Sequence, residues 1–190
     1  MSTAFFEEQV FNAIDFLVNP LPTGTYEDCA FEACSFNSAD LYEFRFINCR
    51  FVQCDFSNAK LEGVTLREIE FKECRMLGIH FEDCNTISFT ATFNDCILNL
   101  SSFYNLNLRK TAFRNSNLQE VDFTNCDLSE AKFEHCDLEA AVFDNTNLTG
   151  ANFSSAYNFI INPEQNNIKR AIFSLEGLPG LLEKHDIRIQ

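Results

Sequence analysis

Glycine and histidine are scarce in this chain of 190 residues, and their scarcity removes whole classes of chemistry. Six glycines are spread along the sequence without forming a phosphate-cradling loop. The three histidines, His80, His135 and His185, show no HExxH spacing, and no repeated Cys-x-x-Cys framework accompanies them. No apolar run approaches the length of a membrane span. The segment Met1 to Val10 carries Glu7 and Glu8 and no basic residue, so it does not read as a secretory leader, and the expected location is cytoplasmic. Cations are also few: 14 lysines and arginines against 28 acids give a net charge of −14, which opposes direct binding to nucleic acid or to an anionic membrane. The expectation is a protein that is not an enzyme and carries no cofactor or metal.

What the chain does have is a large apolar residue at every fifth position. The first run is Tyr26, Phe31, Phe36, Leu41, Phe46, Phe51, Phe56, Leu61, Leu66, Phe71, Met76 and Phe81. The second is Phe93, Leu98, Phe103, Leu108, Phe113, Leu118, Phe123, Leu128, Phe133, Leu138, Phe143, Leu148 and Phe153. Apolar residues make up 46% of the chain, so an unbroken series of this length is a true repeat. A period of five matches neither the 3.6 of a helix nor the 2 of a strand, which points to a solenoid. Two places before each centre the residue is mostly small, as at Cys29, Ala39, Cys54, Ala91, Ser101 and Ala141. The other three positions of each unit are mainly polar and face water.

Units such as Ala39-Asp40-Leu41, Cys126-Asp127-Leu128, Cys136-Asp137-Leu138 and Ala151-Asn152-Phe153 resemble the A(D/N)LXX repeat of the pentapeptide-repeat family over roughly residues 24 to 156. That resemblance implies an all-β fold, a right-handed quadrilateral β-helix with four units per turn. Under it, the strict Phe/Leu alternation from Phe93 onward puts Phe93, Phe113, Phe133 and Phe153 on one wall and Phe103, Phe123 and Phe143 on the opposite wall, filling a narrow tube without voids. Phe6, Phe11, Phe16 and Leu21 keep the phase of Tyr26, and Ile168 and Phe173 resume it, so the β-helix is expected over residues 1–173 with irregular first and last turns. At the rung spacing of about 4.8 Å it forms a rod of about 38 Å. Between Phe81 and Phe93 twelve residues stand in place of ten, so two extra residues within 84–90 should bulge, either as a tolerated insertion or as a recognition loop. Residues 174–190 read as a short helix around Leu178-Pro179-Gly180-Leu181-Leu182 and a strand-like Ile187-Arg188-Ile189. This segment either caps the open last turn or, as the resemblance suggests, makes a two-fold dimer contact through Leu178, Leu181, Leu182, Ile187 and Ile189.

The nine cysteines, Cys29, Cys34, Cys49, Cys54, Cys74, Cys84, Cys96, Cys126 and Cys136, all occupy the small inward slot. Stacked on walls with parallel Cβ vectors, they suit neither disulfides nor tetrahedral ligation, and they read as packing residues.

Mapped onto four walls, the acids Asp40, Glu43, Glu62, Glu82, Asp83, Asp122 and Asp144 fall on the wall centred on Leu41, Leu61, Phe81, Phe103, Phe123 and Phe143, with Lys60 as its only lysine or arginine. The adjacent wall holds Arg45, Arg67, Arg109 and Lys110. The continuous solenoid and the segment Ile161-Asn162-Pro163-Glu164-Gln165-Asn166-Asn167-Ile168, followed by a Leu-Leu helix, resemble the Qnr and McbG group of topoisomerase-protecting proteins. That resemblance implies a homodimeric DNA mimic that engages DNA gyrase or topoisomerase IV and relieves poisoning by quinolones or a toxin. The imitation is partial: duplex DNA carries about 0.6 charges per Å, against about 0.4 for a charge of −14 over about 38 Å. The long loops of the best-known Qnr proteins are also missing. The alternative reading is a structural or scaffold protein that binds another cytoplasmic partner through its walls.

Overall fold

The computed structural model describes residues 4–188. Each pentapeptide forms one side of a square coil because one residue per unit, two places after the centre, turns the backbone into the left-handed region. Asn48 (φ 50°), Asn58 (φ 57°) and Asn125 (φ 59°) are examples, and Gly63 and Gly78 take the same slot. That conformation costs most L-residues roughly 1–2 kcal/mol and is easiest for Gly, Asn and Asp. On many sides a backbone bond closes the corner, as from the Ala59 N–H to the Phe56 carbonyl at 2.8 Å, which with Asn58 at positive φ is type II turn geometry.

Four sides bring the chain back above itself twenty residues later. Strands Ala4–Glu7, Gly24–Glu27, Arg45–Ile47 and Thr65–Arg67 stack as a four-stranded parallel sheet. On the next wall a nine-stranded parallel sheet runs from Val10–Asn12 to Ile172–Phe173. The result is a β-solenoid of about eight turns. Phe6 pairs with Tyr26 and Phe11 with Phe31, and Phe153 pairs with Phe173, so the irregular end turns join the coil as the phase of the sequence implies.

Every centre from Tyr26 to Phe153 is buried. Along the nine-stranded wall the rings of Phe11, Phe31, Phe51, Phe71, Phe93, Phe113, Phe133, Phe153 and Phe173 form one continuous stack, with centroids 4.6 to 5.4 Å apart. Phe103 stacks on Phe81 at 4.4 Å and on Phe123 at 5.4 Å on the opposite wall. The two columns meet edge to face across the bore, as Phe93 and Phe103 do at 5.7 Å and 81°. Offset stacking along a wall and edge contacts across it are the two arrangements that the aromatic quadrupole favours.

The inserted residues do more than bulge. Register jumps to 22 at Phe71↔Phe93 and Arg75↔Ile97, and the side that would continue the four-stranded sheet is replaced by a short 3-10 turn at Thr86–Ser88, preceded by another at Phe81–Asp83 on the neighbouring wall. Phe89 drops into the tube, 5% exposed and 5.8 Å from Phe81, and so replaces the missing centre. Ile87, at the loop tip, is 97% exposed.

At the far end, helix Pro179–Leu182 lies on the last turn. The Ile161 N–H donates to the Gly180 carbonyl at 3.0 Å. A Cβ at residue 180 would stand 2.1 Å from the Phe159 carbonyl oxygen, so only glycine lets the helix backbone approach so closely. Leu181 packs against the core, and Lys184 pairs with Glu164 at 2.5 Å. Capping is therefore visible. The expected strand is not: Glu183–His185 is a 3-10 turn, Ile187 is exposed outside any strand, and Ile189 lies outside the described residues.

All nine cysteines are buried and unbridged. Several thiols reach the carbonyl of a centre one turn below, as from Cys54 to Phe31 (3.4 Å), Cys74 to Phe51 (3.4 Å) and Cys126 to Phe103 (2.8 Å). Ser101 and Thr146 make the same bond from the same slot, so the slot selects for a small side chain, and where that side chain has a donor the carbonyl below can accept it. Burial pushes Cys49, Cys126 and Cys136 up to about 12. These thiols should therefore react slowly at neutral pH in the native protein and promptly once it is unfolded, because the thiolate is the reactive form. Thiol counting with and without denaturant checks this; rapid native labelling of most of the nine would contradict the packing role.

Candidate functional site

The repeat places outward side chains in vertical columns. On the wall centred on Leu41, Asp40 lies beside Lys60, and His80, Ser102 and Asp122 follow one another in register. Glu62, Glu82 and Asp144 occupy the column just after the centres, and Glu43 and Asp83 stand at the corner. The seven acids read from the sequence thus share one wall. They do not share one environment. Asp40, Glu43, Glu62 and Asp83 are exposed, whereas Glu82, Asp122 and Asp144 are half-buried.

Part of this set also serves the fold. Asp40 accepts the Tyr42 N–H at 3.1 Å and Asp122 accepts the Thr124 N–H at 2.8 Å. The same local bond recurs at Asp55, Asn117, Asp127, Asp137 and Asn147, so the Asp or Asn before each centre pins its own corner as an Asx turn. Glu82 contacts His80 Nδ1 through Oε1 at 3.1 Å, while its Oε2 is buried without a hydrogen-bond partner. Beside it, burial first and then the charges of Asp83 and Glu82 push the Cys84 thiol up. Among the described residues Glu43, Glu62, Asp83 and Asp144 have no side-chain bond, which leaves their charge to the surface.

The acidic face is wider than one wall. The preceding wall, where Asp15, Ser35, Asp55 and Arg75 lie in register and Ile97, Asn117 and Asp137 continue the column, also carries Glu120 and Glu139. These acids are within reach of the sequence, since the same spacing of twenty places them, but grouping the acids on a single wall leaves them out. Among the described residues, Lys60 and Arg75 are the only lysine or arginine on the two adjoining walls. Neither forms a salt bridge.

The other two walls are different. Arg45 and Arg67 lie in register with strands of the four-stranded sheet, on the wall that also holds Arg109 and Lys110 as well as Glu7, Glu8, Glu27 and Asp28. There cations and acids pair: Arg109 with Glu130 at 2.6 Å, Lys110 with the same carboxylate at 3.6 Å, Arg114 with Glu134 at 2.9 Å and Arg50 with Glu32 at 3.4 Å. The Arg109 hydrogen bond holds the Glu130 carboxyl below its ordinary range. Such surface pairs stabilise little, but they neutralise the field locally. The rod is therefore split lengthwise into a face of net negative charge and a face where cations largely compensate the acids.

Among the described residues no group of three or more His, Cys, Asp or Glu side chains is placed to hold a metal ion, and no helix is long and apolar enough to cross a membrane. Of the dimer residues read from the sequence, Leu178, Leu182 and Ile187 are exposed, while Leu181 turns toward the core.

No curated protein matches the sequence. Among solved structures, a trypsin-treated variant of QnrB1, a plasmid-mediated fluoroquinolone resistance protein, is similar at 18% identity and TM-score 0.41, covering 97% of this chain and 99% of that one. HetL, a pentapeptide repeat protein involved in heterocyst differentiation regulation in Nostoc sp. strain PCC 7120, is similar at 14% identity and TM-score 0.41, covering 90% and 88%. A pentapeptide repeat protein from the thylakoid lumen of Arabidopsis thaliana is similar at 22% identity and TM-score 0.19, covering 65% and 67%. The family model described as pentapeptide repeat region matches residues 25–90 and 88–153, and with a five-residue period that closes into square coils over the same span, the chain belongs to the pentapeptide-repeat family.

Proposed function

We propose that this protein is a non-catalytic binding protein whose two acidic walls imitate duplex DNA and engage a type II topoisomerase, DNA gyrase or topoisomerase IV, protecting it from poisoning by a quinolone or a toxin. The observation that carries the reading is the lengthwise face on which Lys60 and Arg75 are the only lysine or arginine among the described residues, opposite walls where cations and acids are interspersed. A solubilising surface needs charge but no sidedness, whereas a surface that competes for a basic DNA-binding saddle gathers its negative charge on one face. The rung repeat aligns the carboxylates of successive turns along the two walls, with one break at the rung of residues 96–105, which carries no acid and exposes Ile97, Leu100 and Tyr104. The test is a pull-down with purified gyrase and topoisomerase IV, together with supercoiling assays with and without a quinolone. Capture of neither enzyme at micromolar concentration would leave the scaffold reading in its place.

The active form in this proposal is a homodimer joined at the C-terminal end, which would double the length of the face. Leu178, Leu182 and Ile187 are exposed there beside Leu175, which is 81% exposed. Because Leu181 belongs to the cap, the informative double variant is Leu178→Asp with Leu182→Asp. The wild type is expected to sediment as a dimer and the variant as a folded monomer with an unchanged far-ultraviolet spectrum. A monomeric wild type would assign the segment to capping alone.

A further inference from the structure

The acid-free rung of the acidic face holds a residue that the coil does not favour. Leu100 stands at the corner shared by the two acidic walls, where its N–H donates to the Gln119 carbonyl of the rung above at 3.1 Å and the Ser101 N–H closes the turn on the Leu98 carbonyl at 3.1 Å. The corner holds Leu100 at φ 62°, a conformation that suits Gly, Asn and Asp and is unfavourable for leucine. Gly78 and Glu120 take the same corner one rung below and one rung above. Among the described non-glycine residues at positive φ, Leu100 is the only large apolar one. Burial does not compensate, since the residue is 59% exposed. Ile97 and Tyr104, on the two walls that meet at this corner, are also exposed, so the rung presents three apolar side chains and no charge.

Charge on either side of the rung decides what can cover it. Below it on the two walls, Asp40, Glu43, Asp55, Glu62, Glu82 and Asp83 stand against Lys60 and Arg75. Above it, from Glu120 to Asp144, the walls carry Glu120, Asp122, Asp137, Glu139 and Asp144 and no lysine or arginine. The two negative blocks flank the apolar rung at one ladder spacing, about 4.8 Å, on each side. A second copy of this chain seated there would set acid against acid around the patch. We infer that Leu100, with Ile97 and Tyr104, is the apolar anchor of the acidic face, and that it seats in an apolar pocket of the topoisomerase lying between two cationic patches. Interfaces draw most of their affinity from such a central apolar contact ringed by polar groups, and the acids supply the ring. The anchor rests on the topoisomerase reading of the face and adds to it a contact that salt does not screen.

The test is a titration of purified gyrase and topoisomerase IV with the full chain and two variants at residue 100. Leu100→Asn suits the left-handed corner, so its thermal midpoint is expected at or above that of the wild type, while its affinity for the enzyme falls about tenfold or more. The slope of log affinity against log salt should stay unchanged, because no charge is removed. Leu100→Glu, directly beneath Glu120, fills the break with an acid. It should also weaken binding about tenfold, whereas a face acting by charge alone would bind more tightly. Wild-type affinity in Leu100→Asn, or tighter binding by Leu100→Glu, would overturn the anchor and leave the proposed function standing. A lower thermal midpoint for Leu100→Asn would assign the leucine to the fold, and a change in its sedimenting mass would assign the patch to a contact between copies of this chain; either result overturns the anchor. Capture of neither enzyme by the wild type would strike the proposed function itself, and the anchor with it.

Discussion

Replacing Phe123 with Ala is expected to cost on the order of 3–5 kcal/mol of stability, measured by chemical denaturation. The ring is fully buried, stacks on Phe103 at 5.4 Å and Phe143 at 5.2 Å, and meets Phe113 and Phe133 edge-on at 5.9 Å each. Truncation removes four aromatic contacts from a bore only a few side chains wide. Neighbouring rungs are held at ladder spacing by backbone bonds above and below, so the site cannot collapse around the hole, and incomplete relaxation is what makes core truncations expensive. The paired control is Phe5→Ala, a residue 57% exposed on the first rung, for which a change of about 0.5 kcal/mol or less is expected. A loss below about 1 kcal/mol at Phe123 would mean that the ring columns do not hold the solenoid together.

The second large effect concerns the acidic face. Reversing Glu43, Glu62 and Asp83 to lysine is expected to abolish topoisomerase binding without unfolding the protein, because these three carboxylates are exposed and make no side-chain bond among the described residues. Asp40 and Asp122 need a different change. Each holds a backbone N–H of its own turn, so substitution by asparagine removes the charge and keeps the acceptor. Reversal of Arg45 and Arg67, on the compensated face, should leave topoisomerase binding within about threefold, since those side chains lie on a different wall and screening at 0.15 M limits their reach to about 8 Å. Equal losses from both sets would indicate a response to net charge and not to a face.

The sequence makes the solenoid legible because one constraint, a large inward residue per side, repeats with a single break between Phe81 and Phe93 and admits no polar residue at any centre of either run. The sharing of one wall by Asp40, Glu62 and Asp122 follows from the same arithmetic, and so do the acids of the preceding wall, Asp55 and Asp137, once all four walls are counted. Other features do not follow from counting. The left-handed corner shows in the sequence as asparagine at 48, 58, 105, 115, 125 and 145 and glycine at 63, 78 and 150, but Glu, Ala and Ser also fill that slot, because the coil fixes the backbone whatever the side chain. The insertion reads as two surplus residues; that Phe89 would refill the vacated core depends on three-dimensional packing. In the tail, hydrophobicity marks Leu178, Leu181 and Leu182 alike. Only the close approach of Gly180 to Phe159 shows that Leu181 faces the cap while the other two face solvent.

The most direct measurement is a binding titration of gyrase and of topoisomerase IV with the purified protein at low and at physiological ionic strength, with linear duplex DNA added as competitor. Imitation of DNA by a face of net negative charge predicts saturable binding that weakens steeply as salt rises and is displaced by the duplex. Absence of binding at micromolar concentration, or binding that neither salt nor duplex DNA disturbs, would contradict it.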